Sequence, residues 1–283
     1  MIKNTELIII NNRVYHLNIN SHHIANDIIL VGDPSRVNEV SKYFDKITHQ
    51  IYHREFVTHT GSYRNKEISV ISTGIGCDNI DIVINEIDAA VNIDLKTRKI
   101  KTKKRKLNFI RLGTSGSIQK DIALDSFITS KYALGFDGLP YFHKAQKCID
   151  KSITHAFNQH ASWPEKLSKP YIIKASDKLL SKFKKFPQGI TATSTGFYSP
   201  QGRTLRLKSA IPNMHKILST FKYNNNIITN FEMESSALYF LGQSLGHSTI
   251  TICAIMGNRP LKTQSENYST TIQTLIKEVL NKI

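Results

Sequence analysis

The sequence predicts an α/β fold in which a central mixed β-sheet is flanked by helices. Short apolar runs that are typical of buried strands alternate with amphipathic stretches that are typical of helices along most of the 283 residues. Several strand runs end at a glycine, as expected where a strand turns into a helix. No linker rich in proline, serine or glycine divides the chain, so we expect residues 1–283 to form a single domain.

The predicted strands are short, apolar and mostly followed by turn residues. They cover residues 27–31, 67–73, 107–112, 126–130, 189–193, 226–230 and 248–255. Gly32, Gly74, Gly113 and Asn230 mark the ends of four of them. Because ligands of α/β sheets gather at the carboxyl ends of the strands, these four positions predict where the binding site lies.

The predicted helices alternate with the strands. They cover residues 34–44, about 78–91, 233–245 and 265–283. Pro34 suits the first position of a helix, and Asp78 or Asn79 is expected to cap the second helix. The apolar face of that second helix carries Ile80, Val83, Ile84, Ile87 and Val91. Residues 131–188 are rich in lysine and weakly periodic, so the sequence assigns little there.

The net charge of +16 suggests a nucleic-acid partner, but the distribution of the charge argues against one. Eight basic residues crowd into residues 96–106, and no aromatic side chains lie between them to stack on bases. We therefore expect a solvated basic surface loop at about residues 95–107. A nucleic-acid-binding protein driven by this charge stays as an alternative.

The composition also bears on the cellular location of the protein. No apolar run reaches the length of a membrane span, and no segment resembles a secretory signal, so no membrane partner is expected. The three cysteines, Cys77, Cys148 and Cys253, are widely spaced and lack metal-ligand spacing. Such cysteines suit reduced thiols, so the expected location is the cytoplasm.

Three arginines lie in three short motifs. Arg36 ends the sequence GDPSR at residues 32–36, Arg54 lies in HREF, and Arg111 begins RLGTSG. A buried arginine is costly unless an anion neutralises it. Guanidinium groups match phosphate oxygens, and glycine lets backbone N–H groups approach the same ion. The motifs predict a site for a small dianion, although residues 32–36 alone also fit a turn with a surface arginine.

Two further segments carry polar groups that could bind an organic substrate. Glu232 and Glu234 lie at a strand-to-helix junction, where a carboxylate can accept hydrogen bonds from two neighbouring hydroxyls. The alternative there is an ordinary acidic first turn of a helix. Phe197, Gln201 and Arg203 combine an aromatic face, an amide and a guanidinium, which suits a pyrimidine ring; an ordinary surface loop is the alternative.

Together these segments resemble the type I nucleoside phosphorylase superfamily, and within it the uridine phosphorylases. The resemblance is carried by residues 32–36, 53–56, 72–76, 111–116, 197–203 and 231–235. These motifs occur in the expected order, and six in register are specific. The resemblance implies the type I nucleoside phosphorylase fold and reversible phosphorolysis of uridine to uracil and ribose 1-phosphate. It implies inorganic phosphate as a co-substrate, with no cofactor and no metal ion.

The resemblance also implies a role for each matching residue. The phosphate site would comprise Gly32, Arg36, Arg111 and Thr114, with Arg54 from a neighbouring subunit. The ribose site would comprise Glu232, Met233 and Glu234, with His16 from that neighbour. The base site would comprise Gly116, Phe197, Gln201, Arg203 and Arg259. Arg111, Gln201 and Arg203 would be the catalytic residues. The expected assembly is a homodimer or a hexamer built of dimers, and His16 as an ordinary surface histidine is the alternative.

The choice of base depends on residues 256–259. Purine-specific members of the family carry an aspartate after the last strand, whereas this chain reads MGNR and has no acid there. The resemblance therefore favours a pyrimidine. A purine nucleoside phosphorylase, a nucleosidase of the same fold and a catalytically silent relative stay open as alternatives.

Overall fold

The structure of the protein, a computed structural model, describes residues 5–283 and confirms the α/β prediction. The strands are β1 (Ile9–Ile10), β2 (Arg13–Val14), β3 (Asp27–Val31), β4 (Lys46–His53), β5 (Phe56–Tyr63), β6 (Lys66–Ser72), β7 (Asn108–Ser117), β8 (Phe127–Gly135), β9 (Tyr171–Lys174), β10 (Gln188–Thr193), β11 (Lys222–Tyr223), β12 (Asn226–Glu232), β13 (Ser248–Asn258) and β14 (Thr263–Gln264). The helices are α1 (Ser35–Ser41), α2 (Cys77–Asn92), α3 (Lys151–Ala161), α4 (Asp177–Leu180), α5 (Met214–Thr220), α6 (Ser235–Ser244) and α7 (Tyr268–Leu280).

One mixed sheet organises the molecule. Its strands follow the order β11-β12-β10-β8-β13-β7-β3-β6-β5-β4, with β9 beside β8 and β14 beside β13. Parallel pairs join β3 to both β6 and β7, and β7 to β13, whereas β13 runs antiparallel to β8. An extra pairing of β12 with β7 brings Phe231 opposite Gly116. This pairing brings the carboxyl ends of β7 and β12 together, although the two strands are far apart in the chain.

The core lies between the sheet and the helices on its faces. Strands β3, β7 and β13 contribute almost wholly buried apolar side chains, and α2, α6 and α7 cover them. The predicted apolar face of α2 is buried throughout. A second apolar cluster joins α3 and α5 to β10 and β12. Within residues 5–283, no helix is both long and apolar enough to cross a membrane.

Some predicted boundaries were wrong. Gly113 and Asn230 lie inside β7 and β12, because β13 keeps pairing with β7 as far as Ser117 and β12 pairs with β7 in turn. Neither Asp78 nor Asn79 caps α2. That helix begins after Gly76, whose φ of 95° suits glycine and whose N–H donates to a side chain across the fold.

Several elements were not predicted. The β4–β5 hairpin escaped notice because β4 is an edge strand with mostly exposed side chains. Residues 131–188 hold the end of β8 together with α3, β9 and α4. The helices α1, α6 and α7 are each shorter than expected by a few residues.

The basic segment at about residues 95–107 has five exposed lysines, whereas Lys101 and the two arginines form hydrogen bonds with the fold. Its exposed lysines are Lys96, Lys99, Lys103, Lys104 and Lys106. Arg98 instead donates to the carbonyl of Leu7. Arg105 is half-buried and donates to the carbonyls of Ser21 and Ile24 and to the side chain of Asn26. These arginines hold the loop against the chain that precedes β3.

Replacing Arg105 by alanine should therefore destabilise the fold. We expect a loss of about 2 kcal/mol in the free energy of unfolding, because three acceptors lose a charged donor and part of this loss is screened by water. Lys104→Ala is the matched control and should change stability by less than about 0.5 kcal/mol. Urea denaturation measures both. Equal effects in the two variants would contradict a structural role for Arg105.

Candidate active site

A cavity of about 1050 Å³ opens where β7 and β12 meet, beside the ends of β3 and β6. Most of the residues predicted for the site line it. They are Gly32, Arg36, Arg111, Thr114, Gly116, Phe197, Gln201, Arg203, Glu232, Met233, Glu234 and Arg259. Arg54 and His16 are not among its lining residues. The fold thus brings motifs from distant parts of the chain into one cavity and leaves two predicted residues outside it.

Arg111 lies at the centre of the polar floor of the cavity. Its Nη2 donates to Glu234, and its Nη1 lies 3.2 Å from Oε2 of Glu232. All three side chains are at most 6% exposed. Arg111 Nη1 and Nε lack a well-directed hydrogen-bond partner among the described residues. Arg111, which lines the cavity, therefore keeps N–H groups that no described residue satisfies with good geometry.

The backbone around Arg111 leaves room for its guanidinium to fold over the strand. A Cβ at Gly113 would lie 2.1 Å from Arg111 Nη1, so only glycine permits this close approach. Hydrogen bonds also fix the orientation of the two carboxylates. Glu232 accepts from the Thr193 hydroxyl at 2.6 Å and from the N–H of Ser235, while Glu234 accepts from the N–H of Gly76 at 2.8 Å. The charged groups of the floor are therefore positioned before any ligand binds.

Burial and charge act in opposite directions on this cluster. Burial disfavours the charged form of Arg111 and lowers its pKa. The negative charges of Glu234 and Glu232 have the larger effect, so the pKa of Arg111 is raised above its ordinary value. Burial raises the pKa of the Glu232 carboxyl, although Arg111 opposes that rise. Arg111 is therefore a permanent cation, and it favours the charged form of the Glu232 carboxyl.

A second cation lies beside the first on the cavity floor. Arg36 is 5% exposed, and its Nη1 contacts the carbonyl of Leu112 at 3.4 Å. Its Nη2 donates to the hydroxyl of Tyr268. Gly32 and Thr114 line the same cavity. This end of the cavity presents donors and positive charge, which suits an anion.

The opposite end of the cavity is a cluster of two guanidiniums around one amide. Gln201 is 4% exposed, and its Oε1 accepts from Arg203 at 2.7 Å and from Arg259 at 3.4 Å. Arg259 also donates to the backbone carbonyl of Gln201 at 2.9 Å. The Arg203 guanidinium lies 3.9 Å from the ring centre of Phe197. Burial and the neighbouring Arg203 lower the pKa of Arg259 to about 10.

These contacts change how Gln201 can meet a ligand. The sequence suggested that its amide offers a donor and an acceptor together. In the structure the amide oxygen already accepts from Arg203 and Arg259, so the NH2 group is the part left for a ligand. The wall consists of donors, and it suits carbonyl oxygens, above all oxygens that gain negative charge.

Arg54 and His16 lie near each other outside the cavity. Arg54 is exposed, and its Nη2 donates to the hydroxyl of Tyr15 at 2.9 Å. His16 contacts the carboxylate of Glu86 through Nδ1 at 2.7 Å, and that carboxylate also accepts from the backbone N–H groups of His16 and Leu17. The two side chains therefore belong to one surface region, which is supported from beneath by Glu86.

Tyr268 and Lys262 are among the cavity-lining residues that sequence reasoning did not predict. Tyr268 begins α7 and reaches Arg36, which lies 232 positions earlier in the chain. Lys262 lies in the connection between β13 and β14 and also lines the cavity. Neither has a local signal, because each resembles an ordinary exposed residue of a turn or an amphipathic helix.

The chain matches known proteins along almost its whole length. The family model described as "Phosphorylase superfamily" matches residues 27–281. A uridine phosphorylase of Thermococcus kodakarensis is 32% identical over 254 residues, which are 87% of this chain and 77% of that protein. A DeoD-type purine nucleoside phosphorylase of Clostridium novyi is 26% identical over 242 residues, or 85% of either chain.

A solved structure gives the same result in three dimensions. It is a nucleoside phosphorylase of Trypanosoma brucei that shows uridine phosphorylase activity. This chain resembles it with a TM-score of 0.88 at 27% identity, over 98% of this chain and 99% of that one. The fold and the family predicted from six short motifs are thus confirmed, and the chain belongs to the phosphorylase superfamily.

Proposed function

We propose that this protein catalyses the reversible phosphorolysis of uridine, giving uracil and ribose 1-phosphate. The observation that carries the proposal is the division of one cavity into a floor with two buried arginines and a wall of N–H donors. Arg36 and Arg111 form the floor, and Gln201, Arg203 and Arg259 form the wall. The names of the Thermococcus and Trypanosoma relatives point to the same reaction.

The two ends of the cavity match the two charges that the reaction develops. A phosphate oxygen attacks the anomeric carbon of the ribose as its bond to N1 of uracil breaks, and the bonding electrons leave with the base. Phosphate is a dianion and stabilises the cationic sugar, so the floor must hold an anion. Uracil leaves with negative charge on its carbonyl oxygens, which can accept hydrogen bonds from the N–H groups of Gln201 and Arg203.

The acidic residues between these ends suit the ribose. Glu234 lies against Arg111 at the junction of β12 and α6, and Met233 precedes it in the cavity lining. A carboxylate held in one orientation can accept hydrogen bonds from both ribose hydroxyls. Such orientation places the anomeric carbon between phosphate and base and contributes several kcal/mol to catalysis.

A pyrimidine is favoured over a purine by the side chains present. Residues 256–259 offer no acid, and Asn258 donates its amide to backbone carbonyls instead of to the cavity. Arg259 stands beside Gln201 and adds a donor. Purine bases leave most readily when an acid protonates their imidazole ring, and this wall supplies none.

Arg54 and His16 are proposed to act on the site of a second copy. Both lie outside the cavity of their own chain, and Arg54 is exposed with part of its guanidinium free of protein contacts among the described residues. A homodimer, or a hexamer built of dimers, would place them over the neighbouring cavity. The three free cysteines fit a reducing compartment, and we propose a cytoplasmic location.

The proposal is tested by incubating the purified protein with uridine, thymidine or inosine, with and without inorganic phosphate. We expect uracil and ribose 1-phosphate from uridine only when phosphate is present. Uracil without phosphate would identify a nucleosidase, and faster reaction of inosine would identify a purine phosphorylase. Tight DNA or RNA binding that weakens steeply with salt, together with no turnover, would favour the nucleic-acid alternative.

A further inference from the structure

Tyr268 is a part of the cavity to which no role has yet been given. It is the first residue of α7, it lines the cavity and it is 44% exposed. Its hydroxyl oxygen accepts a hydrogen bond from Nη2 of Arg36. The Arg36 carbon Cζ lies 6.0 Å from the centre of the Tyr268 ring. The phenol group therefore lies beside Arg36 at the edge of the cavity floor.

The hydroxyl proton of Tyr268 is the group that a ligand could use. Among the described residues no acceptor takes that proton, while the oxygen is already engaged by Arg36. Because a guanidinium that donates to a hydroxyl polarises it, the O–H becomes a stronger donor. A free donor next to a buried cation suits an acceptor-only anion.

The segment that carries Tyr268 is anchored from below. Asp125 accepts hydrogen bonds from Ser265 at 2.5 Å and from Thr271 at 2.7 Å, on either side of the tyrosine. Ser265 also accepts from the backbone N–H of Asn267 at 3.0 Å. The hydrogen bonds from Ser265 and Thr271 lower the pKa of the Asp125 carboxyl, which keeps it ionised. The segment on both sides of Tyr268 is therefore fixed, and Arg36 contacts the phenol hydroxyl.

We propose that Tyr268 is a phosphate-binding residue, which donates its hydroxyl proton to an oxygen of the phosphate that Arg36 and Arg111 hold. The inference rests on the proposed phosphorolysis, since it names a further contact of the same co-substrate. Its chemical effect is on the affinity for phosphate, whereas the nucleoside binds through the wall and the acidic residues.

Tyr268→Phe tests this by removing one oxygen and keeping the ring. We expect the KM for phosphate to rise about five- to tenfold, the scale of one lost hydrogen bond to a charged group at a partly exposed site. The KM for uridine and kcat should each stay within about twofold of the wild-type values, because the other contacts are intact. The matched control is Tyr141→Phe, which removes a hydroxyl of similar exposure (49%) outside the cavity lining and should leave all three constants unchanged.

A second measurement uses inorganic phosphate alone. Phosphate should raise the Tm of the wild-type protein, and Tyr268→Phe should need about five- to tenfold more phosphate for half of the same rise. Unchanged phosphate dependence in both measurements, tighter phosphate binding, or an equal rise in the KM for uridine would each overturn the proposal. If the wild-type protein does not phosphorolyse uridine, the proposed function fails, and the Tm titration still decides whether Tyr268 binds phosphate.

Discussion

Arg111→Ala is expected to reduce the rate of uridine phosphorolysis by at least about a hundredfold, the scale of a lost transition-state charge partner. Two buried nitrogen atoms of the guanidinium lack well-directed partners among the described residues, and Arg111 lines the cavity where phosphate would bind. Its loss also frees Glu234, which loses the cation that orients it. Steady-state kinetics with varied phosphate and uridine measure the effect.

The same substitution should destabilise the protein, because it leaves two buried carboxylates without a cation. We expect a loss of about 3–5 kcal/mol in the free energy of unfolding at neutral pH. Without Arg111 the folded pKa of Glu232, already raised by burial, rises further above its unfolded value. A carboxyl whose pKa is raised in the folded state stabilises the fold less as the pH increases. The loss of unfolding free energy relative to the wild type should therefore grow above the unfolded carboxyl pKa of about 4.3.

Two further variants distinguish a catalytic effect of Arg111 from an unspecific loss of stability. Arg111→Lys keeps the charge but not the guanidinium fork. We therefore expect stability near that of the wild type and activity between those of the wild type and Arg111→Ala. Arg64→Ala removes an exposed arginine of the β5–β6 turn and should leave activity unchanged. A near-normal rate in Arg111→Ala would show that the phosphate site lies elsewhere.

Asn258→Asp is expected to destabilise the protein without creating a purine phosphorylase. Asn258 is 2% exposed, and its amide nitrogen donates to the carbonyls of Gln119 at 3.0 Å, Lys120 at 3.3 Å and Ile122 at 2.9 Å. An ionised carboxylate cannot donate and would face three carbonyl oxygens. We expect a loss of about 3 kcal/mol or more in the free energy of unfolding, measured by urea denaturation.

The assay that accompanies this variant compares inosine with uridine. We expect inosine to stay the poorer substrate, because the side chain at position 258 holds the loop after β7 instead of reaching a base. Asn225→Asp, at an exposed turn, is the control and should change stability by less than about 0.5 kcal/mol. A stable Asn258→Asp variant with new inosine activity would contradict this account of how the base is chosen.

Local pattern predicted the strands that lie in the core. The strand β3 was predicted with its observed limits, because an uninterrupted apolar run ends at a glycine. The hairpin of β4 and β5 was missed because β4 is mostly exposed and the buried positions of β5 are partly polar. His59 and Thr60 are both buried in β5. His59 forms hydrogen bonds with Ser41 and Tyr52, and Thr60 forms one with Ser69. Such side chains look solvent-exposed in a sequence and become buried only when their partners are present.

The sequence by itself determined the chemical inventory of the cavity: arginines for an anion, carboxylates for a polyol and an amide with guanidiniums for a base. Only the tertiary structure decided which atoms of these groups are free. It turned the oxygen of Gln201 toward Arg203 and Arg259, directed the amide of Asn258 to a loop, and brought Tyr268 to Arg36. A motif records which groups are present, whereas their free donors depend on hydrogen bonds between segments far apart in the chain.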